Sequence, residues 1–331
     1  MHFNKQKFKW FGGVFLLMHS NLNKKKFVRR AIFMDTFISV IVVTSSDYEL
    51  VQNNISKVFE IFHTVESVCN RFDSNSELRK LSTKIGTPIK VSEILFQALS
   101  FSCEVARITN GAFDPTLGYL LEAFGFNKSY LTRKKFPSNC KSETLIETSF
   151  RDIVFDEEKR TVMLLKPLLL DLGAVAKGLA IDLARKQLDE FEGYCIDAGG
   201  DVFVKGCNEN NEPWHIGIRN PKQTDQIICS LRVSDAAVCT SGSYERRNKG
   251  NKDIHHLIDP VSHLSSHKML SCTAISPFAM MADAFSTSVF ILGQEKGLSL
   301  MEDYEVDGVI VTPTMEIKTT KGIERYQYEI F

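Results

Sequence analysis

The 331 residues carry forty lysines and arginines against forty aspartates and glutamates, so no overall field draws the chain to nucleic acid or to an anionic membrane. At 44% hydrophobic and 24% charged, it has the composition of a globular chain with apolar material for one large core or two modest ones. Its eight cysteines (69, 103, 140, 195, 207, 229, 239 and 272) form no C-x-x-C pair and none stands at zinc-ligand spacing with histidine. Free structural thiols in a reducing compartment are therefore expected.

In chain order, Lys5, Lys7 and Lys9 come first, ahead of an apolar stretch over residues 10–18. The stretch is too short to span a bilayer and resembles the core of an export signal, although no small-x-small cleavage site follows. Residues 1–30 are thus expected to be an N-terminal extension or a signal-like segment, with a single domain over 31–331. A cytoplasmic location is favoured, and the alternative is export or weak inner-membrane association through residues 1–20. The cluster of Lys24, Lys25, Lys26, Arg29 and Arg30 reads as a solvated face.

Residues 37–44 are β-branched and apolar and predict a strand. Val51, Ile55, Val58, Phe59, Phe62 and Val65 recur at helical spacing within 48–70, and a second amphipathic helix covers 92–110, with Ser92 as N-cap. A hairpin follows over 153–155 and 161–164, then a strand at 168–170 and a helix from 174 to 190. Short strands are expected at 194–196, 202–204, 215–218, 227–233 and 237–239, and a helix at 279–292. This mixture predicts an α+β (mixed α/β) fold, a central mixed sheet flanked by helices.

Five short segments gather glycine, aspartate and hydroxyl residues at element ends. Gly111-Ala112-Phe113-Asp114-Pro115-Thr116 places Asp114 in a loop after a helix, where it either accepts hydrogen bonds from a ligand or closes an ordinary C-cap and turn. Across 171–178 a strand end passes into a helix start, with Asp171, Gly173 and Lys177 presenting free N–H groups and a cation suited to phosphate. A plain strand-to-helix junction is the other reading, and the segment is not a Walker A loop. Asp197-Ala198-Gly199-Gly200-Asp201 is a tight turn with two aspartates. Thr240-Ser241-Gly242-Ser243-Tyr244 precedes His255-His256-Leu257-Ile258-Asp259-Pro260, which could supply a base, hold a phosphate or be structural. On a helix, Asp283 and Thr287 lie one turn apart; their oxygens suit a hard cation such as Mg²⁺, or are simply a polar face.

Taken together and in order, with Phe33-Met34-Asp35-Thr36 and Ser76-Glu77-Leu78 ahead of them, these segments resemble the FAD:protein FMN transferase (ApbE) family from about residue 33 to 292. The resemblance implies the family's α+β architecture with FAD in a cleft. It implies Mg²⁺ on the Ala174 carbonyl, Asp283 and Thr287, and an FAD site lined by Met34, Ala112, Phe113, Asp114, Asp171, Lys177 and Ile258. His256 would stand near the reacting phosphates as base or phosphate ligand, with Asp283 as the catalytic metal ligand. The implied reaction moves FMN from FAD to a Thr or Ser hydroxyl of an acceptor flavoprotein, a redox-pump subunit or a soluble reductase, and releases AMP. FAD hydrolysis to FMN and AMP, or flavin binding without catalysis, are the alternatives.

The chain departs from the family pattern in three places. Asp35 stands where Met-Gly-Thr is usual, and its charge is expected to crowd or repel a ligand. Ser262-His263 replaces the usual Thr-Gly after Asp259-Pro260. Where many relatives carry a lipid-modified cysteine near the N-terminus, no cysteine precedes Cys69.

Overall fold

The computed structural model describes residues 24–129, 131, 135–136, 148–248, 250–251, 253–326 and 329–331; the apolar stretch at 10–18 and Cys140 lie outside them. The chain opens on β1 (Lys25–Phe33), β2 (Thr36–Thr44), the long helix α1 (Tyr48–Cys69) and the short α2 (Glu77–Leu81). Next come β3 (Ile89–Lys90), α3 (Glu93–Ile108), α4 (Gly118–Ala123), β4 (Ile153–Asp156) and β5 (Thr161–Leu164). Helix α5 (Ala176–Ala184) leads into β6 (Gly193–Ala198), β7 (Asp201–Gly206), β8 (Trp214–Arg219), β9 (Ile227–Val233) and β10 (Ala236–Gly242). The remainder is β11 (Ile258–Asp259), β12 (Leu264–Ser265), β13 (Ser271–Ser276), α6 (Ala279–Leu292), α7 (Gln294–Asp303), β14 (Asp307–Val311), β15 (Ile317–Thr319) and β16 (Glu329–Ile330).

Eight strands form one sheet in the order β1-β2-β6-β7-β10-β13-β14-β15. Side chains alternate across a strand, so each strand feeds two cores. Ile38, Val40, Val42, Tyr194, Ile196, Ala237 and Cys239 point to the face covered by α1, α5 and α6. Val43, Cys195, Val204, Ala236, Val238, Val309 and Val311 point to the other, where Trp214, Ile218, Cys229, Leu231 and Val233 of the small sheet β16-β9-β8 cover them. Burial on both faces is why these strands read as nearly unbroken apolar runs.

The α+β class stands, and every neighbouring pair in the large sheet runs antiparallel, a more regular sheet than the mixed one expected. The sheet also reaches back to Lys25, inside the expected 1–30 extension. On this edge strand Lys26, Val28, Arg30 and Ile32 alternate outward, and the basic cluster is largely exposed as expected while hiding a strand pattern. No strand forms at 168–170: Leu169 makes a single bridge to Leu117, and its carbonyl accepts the Gly118 N–H at 2.9 Å. The following helix is shorter than 174–190, because the turn over 173–175 precedes it and a 3₁₀ turn, Arg185–Gln187, ends it. Seven described cysteines are free and five of them are buried. Among the described residues, no helix is long and apolar enough to cross a membrane.

Candidate active site

Leu172 sets the site's first wall by accepting two backbone bonds, from Val175 N–H at 3.1 Å and Ala176 N–H at 2.8 Å, which fold residues 173–175 into a turn at the head of α5. Asp171 holds the turn from the other side, its Oδ1 accepting the Gly173 N–H at 2.9 Å. Its second oxygen pairs with the buried guanidinium of Arg71, which also reaches the Phe126 carbonyl at 2.7 Å and Glu122 at 3.5 Å. Asp171 is therefore spoken for on both oxygens, and Ala174 sits within the turn rather than in the helix.

The turn delivers Lys177 into a ring of oxygens. Its Nζ lies 3.1 Å from the Gly173 carbonyl, 3.0 Å from Asp201 Oδ2 and 3.3 Å from Asp283 Oδ2. Burial works against the ammonium charge, and the two carboxylates overcome this and hold its pKa above the usual value. The Gly178 N–H donates to the same Asp283 oxygen at 3.3 Å. A Cβ at Gly178 would lie 2.4 Å from the Ala279 carbonyl, so only glycine lets α5 and α6 come this close. Asp182, one turn further along α5, caps α6 by accepting from Ala279 N–H at 3.0 Å and Met280 N–H at 2.9 Å.

On α6, Asp283 and Thr287 lie one turn apart as expected. Ser241 Oγ of β10 bonds Thr287 Oγ1 at 2.9 Å and Ser286 Oγ at 2.8 Å, locking that face of the helix to the sheet. Asp201 enters at the head of β7 after a turn in which Gly199 and Gly200 have φ of 68° and 100°. Burial first, and the Asp201 charge second, raise the Asp283 carboxyl pKa above the usual range, with Lys177 opposing. The donors assembled here are two nearly buried carboxylates, hydroxyls and a backbone carbonyl. Such an all-oxygen set fits a hard divalent cation.

His256 stands at the edge of this cluster. Burial, then Arg246 and His255, push its imidazole pKa well below the usual value, so the ring is neutral near pH 7. Its Nδ1 is buried without a hydrogen-bond partner among the described residues, and its ring meets Phe126 edge-on at 6.4 Å. Ile258 is buried in β11 and pairs with Ser265, while Asp259 spends its carboxylate on Lys268 and the turn N–H groups of Val261 and Ser262.

Gly111 to Thr116 behaves as a helix stop. The Gly111 N–H closes onto Ala106 O at 2.8 Å, Phe113 is core, and Ala112 N–H returns to Thr109 O at 3.1 Å. Asp114 accepts from Thr116 N–H and Oγ and from Phe150 N–H, contacts apart from the Lys177 cluster. Met34 and Asp35 form the turn between β1 and β2 with φ of 52° and 58°, and His263 has φ of 58°. Both positions where the family pattern has glycine are thus left-handed, and Asp and His are among the side chains that tolerate this best. Asp35 turns its carboxylate onto Ser129 and Leu131.

Sequence reasoning gave no role to Asp201, Arg71, Asp182 or Ser241. Asp201 and Ser241 lay inside segments already singled out, whereas nothing in the local pattern marks Arg71 or Asp182, whose partners are 100 and 97 residues away.

The profile of the ApbE family matches residues 34–310. The FAD:protein FMN transferase of Haemophilus influenzae is 28% identical over 278 residues, spanning 81% of this chain and 80% of that one. The protein of the same name from Treponema pallidum is 28% identical over 324 residues, 90% of this chain and 88% of that one. The crystal structure of the ApbE protein from Thermotoga maritima superposes with a TM-score of 0.82 at 27% identity, covering 92% of this chain and 100% of that one. Agreement over nearly the whole domain, in sequence profile and in fold alike, makes this chain a member of the ApbE family.

Proposed function

We propose that the chain transfers FMN from FAD to a threonine or serine hydroxyl of an acceptor protein, releasing AMP. The observation that carries the reading is the convergence of Lys177, Asp201 and Asp283 where the head of α5 meets α6, with Thr287 one turn further along α6 and bonded to Ser241. A buried cation beside a hard-oxygen donor set is what a pyrophosphate ester requires. Asp283, Thr287 and the Ala174 carbonyl would hold Mg²⁺, which would offset the charge that develops on the pyrophosphate as AMP leaves. Lys177, poised between two carboxylates, adds positive charge at the same end of α5. The acceptor hydroxyl oxygen forms the new bond to the FMN phosphorus as the bond to the AMP oxygen breaks. His256, kept neutral by its surroundings, takes the hydroxyl proton. Met34 and Ile258 would line the flavin side; Asp171, bound to Arg71 and Gly173, serves by holding the turn.

A redox-pump subunit or a soluble reductase is the acceptor class we assign. The seven free cysteines among the described residues support a cytoplasmic location; export or weak membrane association through residues 1–20 is the alternative. The test is AMP release from FAD with Mg²⁺, measured with and without acceptor. AMP formed in step with modified acceptor, and stopped by EDTA, is expected. AMP formed equally without acceptor would replace transfer by FAD hydrolysis, and bound FAD with no AMP would leave a flavin binder.

A further inference from the structure

The turn between β1 and β2 carries a carboxylate that its backbone does not need. Met34 and Asp35 are its two central residues, flanked by the Phe33–Thr36 pair, and both have positive φ, the geometry of a type I′ hairpin. Glycine would serve the backbone equally well. Asp35 adds Oδ1, which accepts from Ser129 Oγ at 2.6 Å and from the Leu131 N–H at 3.2 Å. Ser129 lies 94 residues from Asp35 in the chain and is buried.

Those two bonds fasten one end of a strap, residues 124–129 and 131. Its other ties converge on the residues described above. The Phe124 carbonyl accepts from Asn248 Nδ2 at 2.9 Å, and the Phe126 carbonyl accepts from Arg71 Nη2 at 2.7 Å, the same arginine that holds Asp171. The Phe126 ring meets His256 edge-on. The strap thus links the turn that carries Met34 to the His256 imidazole, both residues assigned above to the FAD site or its chemistry.

We propose that Asp35 is a positioning residue: it latches this strap to the β1–β2 turn and so holds Phe126 on His256 in the geometry that accepts FAD. The carboxylate expected to repel a ligand is instead consumed by the strap. The consequence for FAD rests on the transferase reading, and the latch itself does not.

Asp35→Gly is the direct test, because glycine keeps the left-handed turn and removes only the acceptor oxygens. Asp35→Asn keeps an acceptor, and Ser129→Ala removes a donor from the other side. Two quantities are read on the full chain: hydrogen exchange of a peptide containing the Leu131 amide, and FAD affinity from flavin fluorescence. Asp35→Gly should speed exchange at Leu131 and weaken FAD binding, each by about tenfold, in keeping with the loss of charge-assisted bonds. Where turnover is measured, KM for FAD should rise while kcat changes by less than about twofold. Ser129→Ala should move both in the same direction, and Asp35→Asn should restore most of both. Unchanged Leu131 exchange in Asp35→Gly would remove the latch. Faster exchange with unaltered FAD affinity would overturn the positioning role. Wild-type protein that binds FAD but modifies no acceptor would sink the transferase reading and leave both of these measurements standing.

Discussion

His255 and His256 are neighbours in the chain with separate tasks. His255 is 1% exposed, accepts the Leu257 N–H on Nδ1 at 3.3 Å, and packs edge-on against His267 and Phe290. Burial, then the His267 charge, lower its pKa to about 4. The folded state therefore favours the neutral ring, and the stability this gives is complete above about pH 6.5 and is lost as pH falls toward 4. Asp283 works in the opposite sense, since burial and the Asp201 charge raise its carboxyl pKa and make its ionisation costly. The histidine contribution is read as the difference in melting temperature between wild type and His255→Asn, a change that keeps the short acceptor. Between pH 6.5 and 4 wild type should lose on the order of 2–3 kcal/mol more than the variant; parallel curves would contradict this. His256 bears on rate instead. His256→Ala should lower kcat by about 10²- to 10⁴-fold, the range of a lost general base. Steady-state kinetics decides it, and normal turnover would remove His256 from the proton path.

Helices α5 and α6 set the spacing of the charged cluster, and Gly178 sets the spacing of the helices. Gly178→Ala places a methyl against the Ala279 carbonyl and the Met280 Cα, backbone that cannot rotate away. A cost of about 1–3 kcal/mol in urea unfolding is expected, together with weaker Mg²⁺ activation, because Asp283 moves away from Lys177 with α6. An unchanged midpoint would show that the two helices have room to spare. At this scale much was legible beforehand. Apolar spacing placed α1 and α3 because each buries one wide face, the apolar run at 279–292 placed α6, which is buried on nearly every side, and short β-branched apolar runs placed β2 and most strands from β6 to β10. Edge strand β1 was missed because its lysines and arginines hide the alternation, and β13 because its serines and threonines are satisfied by pairing rather than by exposure. The 168–170 run failed as a strand for a related reason: its hydrogen bonds go to the loop at 115–118, a partner that no local pattern reveals.

For the molecule as a whole, the antiparallel sheet with apolar residues on both faces leaves its polar chemistry to the strand ends and the helix starts. Lys177, Asp201, Asp283 and Thr287 come from three elements, α5, β7 and α6, and the order of strands brings them together. The sequence segments carrying these residues were visible as crowded glycines, aspartates and hydroxyls. Their union was not, because Asp201 lies 24 residues from Lys177 and 82 from Asp283 by position in the chain. The Arg71 anchor and the Asp35 latch lay beyond reach for the same reason: each acts across about a hundred residues.

The central claim is that this cluster moves FMN onto a protein hydroxyl. Intact mass of a threonine-bearing acceptor, after incubation with the chain, FAD and Mg²⁺, tests it most directly. A mass gain of one FMN unit is expected, absent with EDTA and absent when Asp283→Asn replaces the wild type. An unmodified acceptor beside active AMP release, or full modification by Asp283→Asn, would contradict it.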